Sequence, residues 1–117
     1  MFAKNIPLKD VAKRGGGPAT PGVYILRLNG RVMKVGSAEI GVQKRMQQYY
    51  GLNEHCGLNR FIDNGNKDLI RVDYQLCPVD GCRELESKLF DKYGPVSKLP
   101  WAERRPNFNQ NKYVLEI

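Results

Sequence analysis

The spacing of apolar and polar positions along this chain predicts a series of short elements. Val23 to Leu28 and Arg31 to Val35 read as two strands around Asn29-Gly30, a strong hairpin signal. A two-residue turn at Asn29-Gly30 would set Tyr24 against Val35. A three-residue loop, Leu28-Asn29-Gly30, would set Tyr24 directly against Lys34 and gather Val23, Ile25, Met33 and Val35 on one face. With one face of the sheet buried, that sidedness fixes register, so the three-residue loop is expected. Ile40 to Tyr50 has helical spacing, with Val42, Met46 and Tyr50 available for a core and Gly51 as its stop. Leu58 to Asp63 is a short helix candidate. Leu69 to Cys77 alternates as a half-buried strand, with Arg71, Asp73 and Gln75 on its polar side. Asp80 is placed to cap a helix from Gly81 to Tyr93, striped by Cys82, Leu85, Leu89 and Tyr93 and stopped by Gly94-Pro95. Tyr113 to Ile117 reads as a last short strand or a docked tail.

This order predicts an α+β protein with a small sheet. At 117 residues it suits one domain. The triple glycine at 15–17, before Pro18, makes residues 1–20 a flexible basic leader, with 21–117 as the folded domain. Lys13 and Arg14 are candidates there for contact with a phosphate backbone.

Charge adds a partner class. Lys and Arg total 19 against 12 Asp and Glu, a formal net charge of +7 and a pI near 9.5. Such a balance favours a polyanionic partner such as nucleic acid, or an anionic membrane surface. No apolar run approaches the ~20 residues of a membrane span. The first residues carry no signal-peptide core, so a cytoplasmic location is the default. Three cysteines, Cys56, Cys77 and Cys82, argue against a disulfide framework. With His55 they do not match paired zinc-ligand spacings either.

Candidate chemistry sits in the first half. Tyr24, Lys34, Arg45 and Tyr49 supply two phenols, an amine and a guanidinium from neighbouring elements. That set suits a phosphodiester, with groups to take a proton from water and groups to hold phosphate. In the second half, Glu84 falls with Lys88 and Asp91 on the polar side of the last helix and has a simple surface explanation. Glu86 falls at the edge of the apolar stripe, where a carboxylate needs a cation, either a side chain or a metal. Lys98, Trp101, Arg104 and Arg105 suit a DNA-contacting loop, with Trp101 either stacking on bases or plugging the core.

Gly22-Val23-Tyr24, Lys34-Val35-Gly36, Arg45 to Tyr49, Leu85 to Phe90 and Pro106-Asn107-Phe108-Asn109 resemble, in order, the motifs of the GIY-YIG nuclease superfamily. The resemblance implies a small, mainly antiparallel three-stranded sheet flanked by helices. It also implies a stand-alone, divalent-metal-dependent DNA endonuclease using Mg²⁺ or Mn²⁺ on double-stranded or branched DNA. The alternative is a catalytically inactive DNA-binding module of the same fold. By resemblance, Glu86 is the metal ligand, Arg45 the catalytic arginine, Tyr49 the aromatic one turn later, and Asn109 the late asparagine, with Asn107 as fallback. Lys34 stands where many members have a second tyrosine, and Ser37 where some have lysine. Tyr24 is the expected base, with Lys34 keeping it deprotonated or touching phosphate.

Overall fold

The computed structural model describes residues 1–53 and 57–117. Along the chain run β1 (Phe2–Pro7), α1 (Leu8–Ala12), β2 (Gly22–Leu28), β3 (Arg31–Ala38), α2 (Val42–Tyr50), β4 (Ile70–Leu76) and α3 (Val79–Tyr93). The strands form one antiparallel sheet in the order β1-β4-β2-β3. The α+β class holds, and the three-stranded expectation is corrected to four.

The additional strand comes from the first twenty residues. β1 pairs with β4, and Leu8 and Val11 of α1 are fully buried. The glycine run is a tight turn there, not a slack leader. A Cβ on Gly16 would lie 1.9 Å from the Asp10 carbonyl oxygen, and one on Gly17 2.5 Å from that of Val11. Glycine is required because backbone approaches backbone too closely for any side chain.

Five consecutive residues of β2, Gly22 to Leu26, are buried. Tyr24 and Leu26 face α1 and α2, in a cluster with Val11, Met46 and Tyr49. Val23 and Ile25 face α3, against Leu85 and Leu89. Both faces are covered, so sidedness had no power to choose the hairpin register. Leu28 pairs with Arg31 across a two-residue Asn29-Gly30 turn, with φ of 52° and 82°. An irregularity then advances the pairing, so that Leu26 meets Lys34 and Tyr24 meets Gly36. The expected Tyr24–Lys34 pair is therefore absent. Met33 leaves its supposed partners and packs on the Tyr24 side.

Helix α2 starts behind Gly41 and buries Val42, Met46 and Tyr49, while Tyr50 is half-buried and donates to Asp68 at 2.7 Å. Leu58 to Asp63 is no helix. It is a turn, closed by Phe61 and Ile62 N–H groups on the Leu58 carbonyl, both at 2.9 Å. Helix α3 starts at Val79, and Asp80 lies in its first turn without capping it, accepting instead from the Tyr113 hydroxyl at 2.9 Å.

The polar side of β4 is covered. Asp73 pairs with Arg27 and accepts the Asn5 N–H at 2.8 Å. Gln75 grips the C-terminal tail twice, donating to the Val114 carbonyl at 2.7 Å and accepting the Glu116 N–H at 2.6 Å. Glu84, expected at the surface, is only 1% exposed. It accepts the N–H groups of Lys112 (3.0 Å) and Tyr113 (2.5 Å) and pairs with Lys88 at 3.1 Å. Burial acts to raise its pKa but is outweighed by the Tyr113 and Lys112 N–H groups and by Lys88, which hold it below the usual carboxylate value. The tail is docked, not a strand, and ends on a fully buried Ile117.

Trp101 is 4% exposed, stacks on Phe61 with centroids 6.1 Å apart, and its backbone N–H donates to the Met33 carbonyl at 2.9 Å. It plugs the core. Trp101→Ala should accordingly cost about 3–5 kcal/mol in denaturant unfolding. A loss under about 0.5 kcal/mol would be that of a surface side chain.

Candidate functional site around the outer strand

The candidate groups divide between the two sides of β3, the outer strand: Glu86 lines a cleft on one, and Tyr24, Arg45 and Tyr49 lie on the other. On the α1/α2 side, the Tyr24 and Tyr49 hydroxyls share a hydrogen bond, and their rings meet edge-on with centroids 5.8 Å apart. Each residue is 2% exposed. The Tyr24 ring crosses its partner residue Gly36, where a Cβ would fall 2.6 Å from the Tyr24 hydroxyl oxygen. Burial, Tyr49 and, more weakly, Glu86 push the Tyr24 pKa well above its ordinary value, and Arg45 pulls it down without prevailing. Burial therefore favours the neutral phenol, against the deprotonated Tyr24 expected of a base. Arg45, one helical turn before Tyr49, donates to the Gln48 side chain at 3.1 Å. Its Nε is buried without a hydrogen-bond partner among the described residues.

On the α3 side lies an open cleft of about 410 Å³. Ser37 and Glu39 line it from the end of β3, Arg83 and Glu86 from α3, and Arg104, Arg105 and Asn107 from the returning chain. Glu86 is half-buried. Burial raises its pKa; a hydrogen bond from Ser37 and the charges of Lys34 and Arg83 oppose this, and Glu39 adds to the rise. Lys34 thus acts on Glu86, although it does not face Tyr24. Among the described residues no three His, Cys, Asp or Glu side chains converge, so any metal here would have few protein ligands.

The remaining expected residues divide. Arg104 and Arg105 line the cleft, but Arg105 is also committed to α3, donating to the Ser87 carbonyl and hydroxyl at 3.0 Å each and pairing with Asp91. Asn107 lines the cleft, whereas Asn109 is exposed outside its lining. Lys98, in a short helical turn after α3, and Lys13 and Arg14, after α1, are exposed and also outside the lining. His55 and Cys56 lie outside the described residues. Glu39 and Arg83 were missed by the sequence reading. Their signal was positional: Arg83 precedes Glu86 by three on one helix face, and Glu39 follows Ser37 by two.

Among solved structures, the chain is similar to the GIY-YIG N-terminal endonuclease domain of UvrC from Thermotoga maritima bound to its catalytic divalent cation, magnesium. That match has 24% identity, covers 73% of this chain and 86% of that domain, and has a TM-score of 0.53. An asparagine-to-alanine mutant of the same domain, bound to its catalytic divalent cation, matches at 20% identity, with 82% and 93% coverage and a TM-score of 0.55. A tyrosine-to-phenylalanine mutant gives the same identity and coverage with a TM-score of 0.54.

The chain has a GIY-YIG-like fold.

No protein-family model and no curated protein sequence matches it. Among the described residues, no helix of this GIY-YIG-like chain is long and apolar enough to cross a membrane.

The raised pKa of Glu86 has a sign that can be measured. Stability associated with its protonated form is full below the ordinary glutamate value of about 4.3 and is lost as pH rises through the higher folded value. At pH 7 without divalent cations, Glu86→Gln should melt at or above the wild-type temperature, with the difference closing below about pH 4. A Glu86→Gln protein melting several degrees lower at pH 7 would show a structural carboxylate instead.

Proposed function

We propose that the protein is a divalent-metal-dependent DNA endonuclease. The observation that carries this reading is the open cleft where half-buried Glu86 faces arginines around the outer strand of a GIY-YIG-like sheet. UvrC's domain, of like fold, is an endonuclease with a catalytic magnesium ion. The basic net charge of +7 suits a DNA substrate.

The donor set fits magnesium or manganese. Glu86 would supply one carboxylate, Ser37 and Asn107 lie in the same cleft as further oxygen donors, and Mg²⁺ usually keeps several waters and needs only one or two carboxylates. The chemistry such an ion supplies when bound is Lewis-acid polarisation of the phosphate and stabilisation of the leaving 3′ oxygen.

The chain's own residues do the rest. Arg45, with a buried N–H that has no acceptor among the described residues, is suited to an incoming phosphate oxygen, and its planar fork to a clamp. Arg83 and Arg104 offer cations to the adjoining backbone, and Asn107 replaces Asn109 as the asparagine within reach of it. Tyr24 is neutral and buried, so its role is to hold Tyr49, and through it the Arg45 helix, against the sheet. Proton acceptance from the attacking water then falls to Lys34, whose ammonium, charged beside Glu86, must first release its proton to solvent.

A second reading, an inactive DNA-binding module, draws support from the same neutral Tyr24 and from lysine at the second tyrosine's place. Plasmid nicking with and without EDTA separates the two. We expect Mg²⁺-dependent nicking, abolished by EDTA and lowered on the order of 100-fold or more in Glu86→Gln. Lys34→Met should lower turnover while Mg²⁺ still raises its melting temperature, a rise absent in Glu86→Gln. DNA retention without cleavage at any Mg²⁺ or Mn²⁺ concentration, on duplex, single-stranded or branched DNA, would establish the binding module instead.

A further inference from the structure

We infer that Cys77 and Cys82 are a covalent modification site, a dithiol that closes reversibly to an intramolecular disulfide at the β4–α3 junction. The two sulfurs lie 3.4 Å apart, already in contact. Both cysteines are free and buried. The Cys77 N–H binds the Pro21 carbonyl at 3.1 Å, and Cys82 sits in the second turn of α3 with its sulfur 3.6 Å from the Pro78 carbonyl oxygen. Neither side chain is needed as a ligand or in the proposed chemistry, so the inference stands whether or not the protein is a nuclease.

The pair is also chemically unequal. Cys77 is 6% exposed and Cys82 fully buried, so a soluble oxidant meets Cys77 first. The hydrogen bond shared by the two sulfurs holds the Cys77 thiol below its usual range against the effect of burial, while Cys82 is pushed up. A thiolate is the attacking species in disulfide exchange. With oxidised glutathione as co-reactant, the Cys77 thiolate attacks one glutathione sulfur and expels the other as thiolate. Cys82 then loses its proton to solvent, attacks the Cys77 sulfur and expels the second glutathione thiolate. Two protein thiols are oxidised by two electrons, and one oxidised glutathione becomes two reduced ones. The new bond joins the residue after β4 to the helix that carries Glu86 one turn further on.

The test uses the full chain with Cys56→Ser, which removes the third thiol. After exposure of the folded protein to oxidised glutathione and denaturation in iodoacetamide, we expect a mass about 2 Da below the reduced chain, with no alkylation. Dithiothreitol should restore two alkylatable thiols. Adding Cys82→Ser should trap one glutathione on Cys77. Two alkylatable thiols after oxidation of the Cys56→Ser protein, or glutathione held stably on both cysteines, would overturn the inference even if the double variant fails to fold.

Discussion

The double burial of β2 is the constraint on which this molecule depends. Both of its edges are hydrogen-bonded, to β3 and β4, and both of its faces carry core residues. Tyr24 and Leu26 belong to one layer, Val23 and Ile25 to the other. A strand so enclosed offers no surface for chemistry. The site is therefore displaced to its neighbour β3, whose free edge lets groups from both layers approach. Glu86 still acts electrostatically on Tyr24 around that edge, although the two lie on opposite sides of the sheet.

Polar side chains then organise what regular structure does not. Residues 99–117 contain no helix or strand, yet Trp101, Leu99 and Ile117 are buried. Glu84, Gln75 and Arg105 hold this return by its backbone and by neighbouring side chains. Burying a carboxylate such as Glu84 is tolerable because two peptide N–H groups and Lys88 meet its lone pairs. These clamps set one wall of the cleft, so the position of Asn107 depends on residues far from the cleft in sequence.

Strong local signals were legible before any coordinates. Asn29-Gly30 announced the hairpin turn, and the alternation from Ile70 to Leu76 and the stripe through Leu85 and Leu89 announced β4 and α3. Features set by distant partners were not. The register of β2 on β3 escaped because both faces are apolar, and β1 because glycine at 15–17 serves close approach as readily as slack. Glu84 read as a surface residue because the N–H groups it binds lie almost thirty residues on in irregular chain. Glu86 was singled out by its place at the margin of the apolar stripe, and that margin is where the cleft opens. The burial that opposes ionisation of Tyr24, and outweighs the nearby guanidinium, was not legible because it depends on how α2 docks.

Gly36 lies in the shadow of the Tyr24 ring, with no room for even a methyl group. Position 36 and position 24 are consequently a single choice for mutation. A larger residue at 36 requires the ring at 24 to shift or to be trimmed. A short glycine-tyrosine pattern of this kind records steric exclusion between two strands, and it would persist in descendants that had abandoned the chemistry altogether.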